Sequence, residues 1–382
     1  MKKIIFVIMC SILLPSLVNA TEVDLAKNAK SAIIVEASTG TILYEKNSNE
    51  KLSPASMTKM MGMLLVVENV EKGNLKWDEM VTVSENASSM GGSQILLETG
   101  EKMTVSDLFK GVAVASGNDA IVALGERVAG TEEAFVKMMN DRAKELGLKN
   151  TNFKNPHGLE EANHYSSAYD MSKIALELVK HPKVLEFSGI YEDYLRKGTK
   201  REFWLVNTNK LVRFYQGVDG LKTGYTKEAG YCLTATASKS NMRVITVVMG
   251  EPESTIRNKE TTDMLNYSFN MYSIEKMLSK DKKVGTIKIN LGENETSDIV
   301  PVKDVNILNN KQNEKRNVIY DVETYKVTAP VKKGDIVGKL KVIENDKILE
   351  EIEITIPNDI KKVNIFKAYL RNIKSMLIGN SI

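Results

Sequence analysis

Residues 54–67 read Pro54-Ala55-Ser56-Met57-Thr58-Lys59-Met60-Met61-Gly62-Met63-Leu64-Leu65-Val66-Val67. A lysine follows the serine by three positions, and from Met60 the run is apolar. On a helix, residues three apart share a face, so Ser56 and Lys59 would stand side by side at the first turn of a buried helix. Desolvation or a nearby cation favours the neutral amine. A neutral lysine can take the proton of the adjacent hydroxyl and make the serine a nucleophile without histidine. The helix dipole would help to hold negative charge at that end. Ser-x-x-Lys also occurs at Ser48/Lys51, Ser273/Lys276 and Ser279/Lys282. Those three lie in polar, charged stretches and read as solvated faces.

Outward from this stretch, Ser31 to Glu36 and Thr41 to Glu45 are β-branched runs joined by Ala37-Ser38-Thr39-Gly40, a hairpin signal. From about 55 to 190 the pattern is helical, with segments at Ala55 to Glu68, Thr104 to Ala115, Asp119 to Val128 and Thr131 to Leu146. Strands return at Tyr231 to Ala237 and Arg243 to Met249 around the turn Ser238-Lys239-Ser240-Asn241, and Thr261 to Tyr272 reads as helix. Strands flanking a helical middle predict an α/β (α+β) layered domain with a mainly antiparallel sheet.

The chain of 382 residues is 42% hydrophobic and 26% charged, with a net charge of +3, which is a globular composition. The near-balance of charge argues against a nucleic-acid partner. Two cysteines and three histidines cannot build a disulfide framework, a four-thiolate zinc site or a histidine-rich cofactor site. Lys2 and Lys3, the apolar run Ile4 to Leu14, and Val18-Asn19-Ala20 form a signal-peptide pattern over residues 1–20, with cleavage expected after Ala20. Cleavage removes Cys10 and leaves Cys232, which reads as a small buried apolar residue within a strand.

Beyond a charged connector, Lys280-Asp281-Lys282-Lys283, short β runs alternate with polar turns through Ile356, and Pro357-Asn358 closes the segment. The expected division is residues 1–20 signal peptide, 21–275 catalytic domain, 276–358 small all-β domain and 359–382 amphipathic helix. On a helical wheel begun at Ile360, Val363, Ile365, Phe366, Tyr369, Leu370, Ile373, Met376 and Leu377 share one arc. Residues 359–382 carry five basic residues and one acid, a charge of +4. A helix of this kind lies in a membrane interface with its apolar face down.

Two further motifs complete the pattern. Ser116-Gly117-Asn118 lies between apolar helical segments and could turn a hydroxyl and an amide into one cleft. Lys222-Thr223-Gly224 occurs once, before the strand pair. On an edge strand, Lys222 and Thr223 could bind a carboxylate, and Gly224 would admit a substrate backbone. The set Ser-x-x-Lys, Ser-x-Asn and Lys-Thr-Gly marks penicillin-recognising serine enzymes.

Pro54 to Met60, Ala115-Ser116-Gly117-Asn118-Asp119-Ala120 and Lys222-Thr223-Gly224-Tyr225-Thr226 resemble the low-molecular-mass penicillin-binding proteins, the serine-type D-alanyl-D-alanine carboxypeptidases. Asn155-Pro156-His157-Gly158-Leu159, His164-Tyr165-Ser166 and Ala168-Tyr169-Asp170-Met171 look like the same family. The resemblance spans nearly the whole chain, β domain and tail included. It implies a transpeptidase/β-lactamase-like fold with Ser56 as the acylated nucleophile, Lys59 as its base and Ser116 as proton relay to the leaving amine. It implies Asn118 on the substrate backbone, Lys222 and Thr223 on the terminal carboxylate, and Arg257 as a further carboxylate partner. The backbone N–H groups of Ser56 and Tyr225 would form the oxyanion hole. Tyr225 stands where some relatives have histidine, which leaves its N–H role untouched. No cofactor or metal is implied. The implied partners are a peptidoglycan stem peptide ending in D-Ala-D-Ala, β-lactams as covalent inhibitors, and the outer face of the cytoplasmic membrane.

His157 and His164 read as structural. A class A β-lactamase shares the three motif types, but usually carries Asp where Gly117 stands and a deacylating Glu-x-x-x-Asn motif, which has no convincing counterpart here. A non-catalytic cell-wall-binding protein remains the alternative of another class.

Overall fold

The computed structural model describes residues 23–313 and 316–378. The expected signal segment, with Cys10, lies outside the described residues. Five strands form one antiparallel sheet in the order Ile42–Lys46, Ser31–Glu36, Met242–Glu251, Gly230–Lys239 and Val218–Thr226. All six residues of Ser31–Glu36 are buried, because both faces of this strand are covered. Ile33 and Val35 face the larger core with the helical layer, and Ala32 and Ile34 face a second core that includes Met264 and Leu265 of the helix Ser254–Met271. The hairpin after Gly230–Lys239 turns on Ser240 and Asn241, both at positive φ. A two-residue turn of that kind matches the twist of paired strands, so pairing continues through Ser238 and Lys239, beyond the Ala237 limit expected from sequence.

In the helical layer, the run expected as one helix from Ala55 is a 3-10 turn, Ala55–Thr58, followed by the α-helix Lys59–Glu71. The first nine residues of that helix are all buried. A helix apolar on every side belongs in the middle of a core, and this one touches the helices Val105–Ala115, Asn118–Ala129, Glu132–Glu145 and Ala168–Leu178. Thr104, Thr131 and Ser167 cap three of these with side-chain oxygens on backbone N–H groups, which fixes where each begins. The helix Ser254–Met271 starts seven residues before the expected Thr261, because its first turns are too polar to show an apolar period.

The C-terminal part is all-β. A six-stranded sheet and the pair Tyr272–Leu278 with Val305–Asn310 enclose a core of Ile287, Val305, Leu340, Ile354 and their neighbours. The strand Tyr272–Leu278 straddles the expected boundary after residue 275. The tail helix is shorter than its wheel suggests. It spans Ile365–Ile378, whereas Ile360 and Val363 are buried against the β domain. The Ile360 N–H donates to the Val331 carbonyl and the Val363 N–H to the Leu291 carbonyl, which holds this stretch extended. Ile365 and Phe366 are 86% and 71% exposed. Among the described residues, no helix is long and apolar enough to cross a membrane.

Candidate active site

Ser56 sits half-buried in the 3-10 turn that starts the buried helix. The Lys59 side chain is fully buried, with Nζ 2.9 Å from Ser56 Oγ and donating to the His157 carbonyl at 2.7 Å. Burial, reinforced by the charge of Lys222 and opposed by that of Asp119, pushes Lys59 well below the ordinary lysine range. The loop carrying His157 is pressed against the serine turn. Gly158 has φ +83°, and a Cβ there would lie 1.9 Å from the Ala55 carbonyl oxygen. Its N–H donates to Asn155 Oδ1 at 2.7 Å, which shapes the Asn155-Pro156-His157-Gly158 turn.

Ser116 ends the helix Val105–Ala115 in the left-handed conformation, at φ 64°. This sharp exit lets the next helix, Asn118–Ala129, start two residues later. Ser116 Oγ and Asn118 Oδ1 are buried and meet no hydrogen-bond partner among the described residues. Asn118 Nδ2 donates to the Gly91 carbonyl at 2.6 Å, so the amide is fixed with its oxygen left over. Beside it, the Asp119 carboxylate accepts from the N–H groups of Ile95, Leu97 and Ala120. Burial outweighs these bonds and raises its pKa.

Val218–Thr226 is the edge strand of the sheet. Lys222 is buried, and its Nζ donates to the Thr223 carbonyl at 3.1 Å. Burial, then the charge of Arg257, brings Lys222 down to about 7. Thr223 Oγ1 donates to Thr208 Oγ1 at 2.7 Å. A Cβ on Gly224 would lie 2.7 Å from the Pro54 carbonyl oxygen, so glycine is what lets this strand run past the Ser56 turn. Tyr225 follows, 56% exposed and stacked on Tyr231 with ring centroids 4.3 Å apart. Arg257, on the helix Ser254–Met271, is buried with its guanidinium bonded to Asn258 Oδ1.

Of the residues singled out from sequence, Lys59 bonds Ser56 and Gly224 packs on the Ser56 turn, while the charge of Lys222 acts on Lys59 and that of Arg257 on Lys222. Sequence reasoning missed the His157 carbonyl, which is a backbone group without a side-chain signal. It also missed Asp119, although the Asn-Asp pair opening a helix was in view. Cys232 is buried, and burial pushes its thiol up to about 11, which suits a packing role. Among the described residues, no group of three metal-ligating side chains gathers.

His164 and His157 pack under the serine turn. His164 Nδ1 accepts from the Lys154 N–H at 3.1 Å, and its Nε2 lies 2.8 Å from Thr58 Oγ1. With Nδ1 accepting, Nε2 carries the proton and donates. Burial lowers His164 from 6.5 to about 4. The unfolded chain thus binds a proton that the folded one refuses. The stability from His164 is full above about pH 6.5 and is lost as pH falls toward about 4. Urea unfolding across that window should show wild type losing on the order of 3 kcal/mol relative to His164→Gln. A difference that stays constant with pH would contradict this.

The family described as D-alanyl-D-alanine carboxypeptidase matches residues 18–253, and the penicillin-binding protein 5 C-terminal domain matches residues 231–362. The chain is 49% identical over 340 residues to D-alanyl-D-alanine carboxypeptidase DacF of Bacillus subtilis, covering 89% of this chain and 87% of that protein. The crystal structure of penicillin-binding protein 5 from Haemophilus influenzae superposes with a TM-score of 0.72 at 32% identity, over 88% of this chain and 98% of that one. Ampicillin-bound penicillin-binding protein D2 of Listeria monocytogenes gives a TM-score of 0.57 at 32% identity, over 63% of this chain and 98% of that one. Two family models that together span most of the chain, and a relative of 49% identity covered over 87% of its length, lead to one conclusion: the chain belongs to the low-molecular-mass penicillin-binding proteins, the serine-type D-alanyl-D-alanine carboxypeptidase family.

Proposed function

We propose that the protein removes the terminal D-alanine from peptidoglycan stem peptides through an acyl-enzyme on Ser56. The observation that carries this reading is the 2.9 Å hydrogen bond between Ser56 Oγ and a fully buried Lys59 amine. The neutral amine takes the Ser56 proton as Oγ attacks the carbonyl of the penultimate residue. The N–H groups of Ser56 and Tyr225 receive the oxyanion. Ser116, whose hydroxyl meets no partner among the described residues, passes a proton to the departing amine as the C–N bond breaks. Water then cleaves the ester, with Lys59 again as base. The spare oxygen of Asn118 receives a substrate backbone N–H. Lys222, Thr223 and Arg257 hold the terminal carboxylate, and the arriving negative charge keeps Lys222 protonated.

A β-lactam enters the same chemistry. Its severed nitrogen stays tethered to the acyl group, so the amine cannot diffuse away and the adduct persists. The protein is read as exported, with residues 1–20 as signal peptide, 21–275 as catalytic domain and 276–358 as β domain. The tail places it on the outer face of the cytoplasmic membrane. Support for this lies in the exposed Ile365, Phe366, Tyr369 and Leu370 together with the basic residues of the tail. Arg371 donates to the Gly292 and Glu293 carbonyls, which would join the anchor to the β domain.

Intact-mass analysis with benzylpenicillin, followed by peptide mapping, tests the acyl-enzyme. One adduct should appear, on Ser56, and Ser56→Ala should lose both labelling and D-alanine release. An adduct on Ser48, Ser273 or Ser279 would overturn the assignment. Rapid turnover of the adduct, with no D-Ala-D-Ala hydrolysis, would favour a β-lactamase instead. For the anchor, mature protein should sediment with anionic liposomes, and a form ending at Asn364, which keeps the buried Ile360 and Val363, should not while still cleaving small peptides. Each basic residue near such a surface contributes on the order of 1 kcal/mol, so added salt should weaken sedimentation. Equal sedimentation of the two forms would contradict the anchor.

A further inference from the structure

We infer that Asp119 and Arg196 are positioning residues: together they clamp a strap of residues 91–97 against Asn118 and so fix which end of the Asn118 amide meets the substrate. The inference rests on the role of Asn118 proposed above. Residues 91–97 belong to no helix or strand, so the backbone groups of the strap have no ladder to pair in. Side chains take that place. The Ile95 N–H donates to the two Asp119 carboxylate oxygens at 3.1 and 3.0 Å, and the Leu97 N–H to one of them at 3.0 Å. Arg196 takes the carbonyls: Nη1 donates to that of Ile95 at 3.0 Å and Nη2 to that of Leu96 at 3.3 Å. Asp119 is buried, and the Arg196 side chain is only 9% exposed. Glu101 holds the guanidinium in place, accepting from Nε at 2.5 Å and from Nη2 at 3.2 Å. Arg201 adds a bond to the Leu96 carbonyl at 2.8 Å and leaves that of Ile95 to Arg196. Between the two pinned residues, Leu96 has φ 56° and turns outward, 56% exposed. A leucine keeps this left-handed conformation only where its surroundings hold it there.

The strap in turn grips Asn118. Its Ser93 carbonyl accepts the Asn118 N–H at 2.7 Å, and its Gly91 carbonyl accepts from Asn118 Nδ2 at 2.6 Å. Gly92 stands between these two with φ +79°, and a Cβ there would come within 2.8 Å of Nδ2, so glycine is what lets the strap lie this close. The two ends of a side-chain amide have nearly the same shape, and its partners decide which end points where. With Nδ2 committed to Gly91, Oδ1 is left buried and without a partner among the described residues. The amide thus presents an acceptor, which selects a substrate N–H over an ester oxygen. If the strap lifts, Nδ2 loses its acceptor, the amide turns freely and the selection is lost. Asp119 follows Asn118 directly, so the carboxylate that holds the strap adjoins the amide that the strap holds. Arg196 closes the arrangement from just past the end of the strand Glu192–Leu195. Among the described residues it makes no hydrogen bond to Ser56, Lys59 or Lys222, so its effect on the site runs through the strap.

The test uses the mature protein and two substrates. One is a peptide ending in D-Ala-D-Ala. The other is its isostere with D-lactate as the penultimate residue, so that an ester oxygen replaces the upstream N–H and the scissile amide is kept. Release of the terminal D-alanine gives kcat/KM for each. Wild type should prefer the peptide by roughly tenfold, the worth of one hydrogen bond exchanged for two facing acceptors. In Arg196→Gln the preference should fall to about threefold or less, chiefly through loss on the peptide. A merely structural role would slow both substrates alike and leave the ratio unchanged. Hydrogen exchange at the Ile95 and Leu97 N–H groups should be slow in wild type and faster in the variant. If Arg196→Gln does not fold, Arg196→Lys takes its place with the same expectations, because it keeps a charge beside Glu101 and lacks the two-armed guanidinium. An unchanged ratio in the folded variant would overturn the inference, and so would unchanged exchange at Ile95 and Leu97. Equal handling of the two substrates by wild type would instead count against the role of Asn118 proposed above, and the exchange result would still decide the clamp.

Discussion

The structure depends on one buried lysine. Lys59 Nζ is hydrogen-bonded with Ser56 Oγ and the His157 carbonyl, is fully buried, and among the described residues forms no ion pair with a carboxylate. An ammonium in such a place is expensive, and the neutral amine is the cheaper form. Two acceptors aim it, and desolvation together with the Lys222 charge disarms its proton affinity. The same environment that makes Lys59 a poor ion makes it readier than an ordinary lysine to take the Ser56 proton.

The rest of the domain is arranged to keep that site dry and in register. The helix behind Lys59 is buried along its first nine residues, so its start cannot shift without disturbing the core. Gly158 and Gly224 approach the Ser56 turn from opposite sequence regions, and neither contact leaves room for a Cβ. Arg243 clamps the edge strand by a paired hydrogen bond to Asp219, at 2.7 and 2.8 Å. Thus the loop carrying His157, the Ser56 turn and the Lys222 strand are held as one unit. On the β domain and tail, the most exposed large apolar side chains are Ile365 and Phe366 of the tail helix.

Much of this was legible in the sequence because the motifs carry their own geometry. Ser56 and Lys59 are linked by helical spacing, and Lys222-Thr223-Gly224 adjoins a strong strand pattern. The contacts that tune Lys59 were less legible, since the His157 carbonyl has no side-chain signature and the Lys222 charge comes from 163 positions away in sequence. The tail misled in one respect. Ile360 and Val363 fit a helical arc, but backbone bonds to Val331 and Leu291 hold them extended, so tertiary pairing overrides the period.

The central claim is that Lys59 is a neutral amine in the resting enzyme. The pH dependence of the second-order rate of Ser56 acylation by benzylpenicillin tests it most directly. With Lys59 held well below the ordinary lysine range, the rate should reach its plateau well below about pH 10. A rate that keeps climbing in proportion to hydroxide up to about pH 10, the range of an ordinary lysine, would contradict the account.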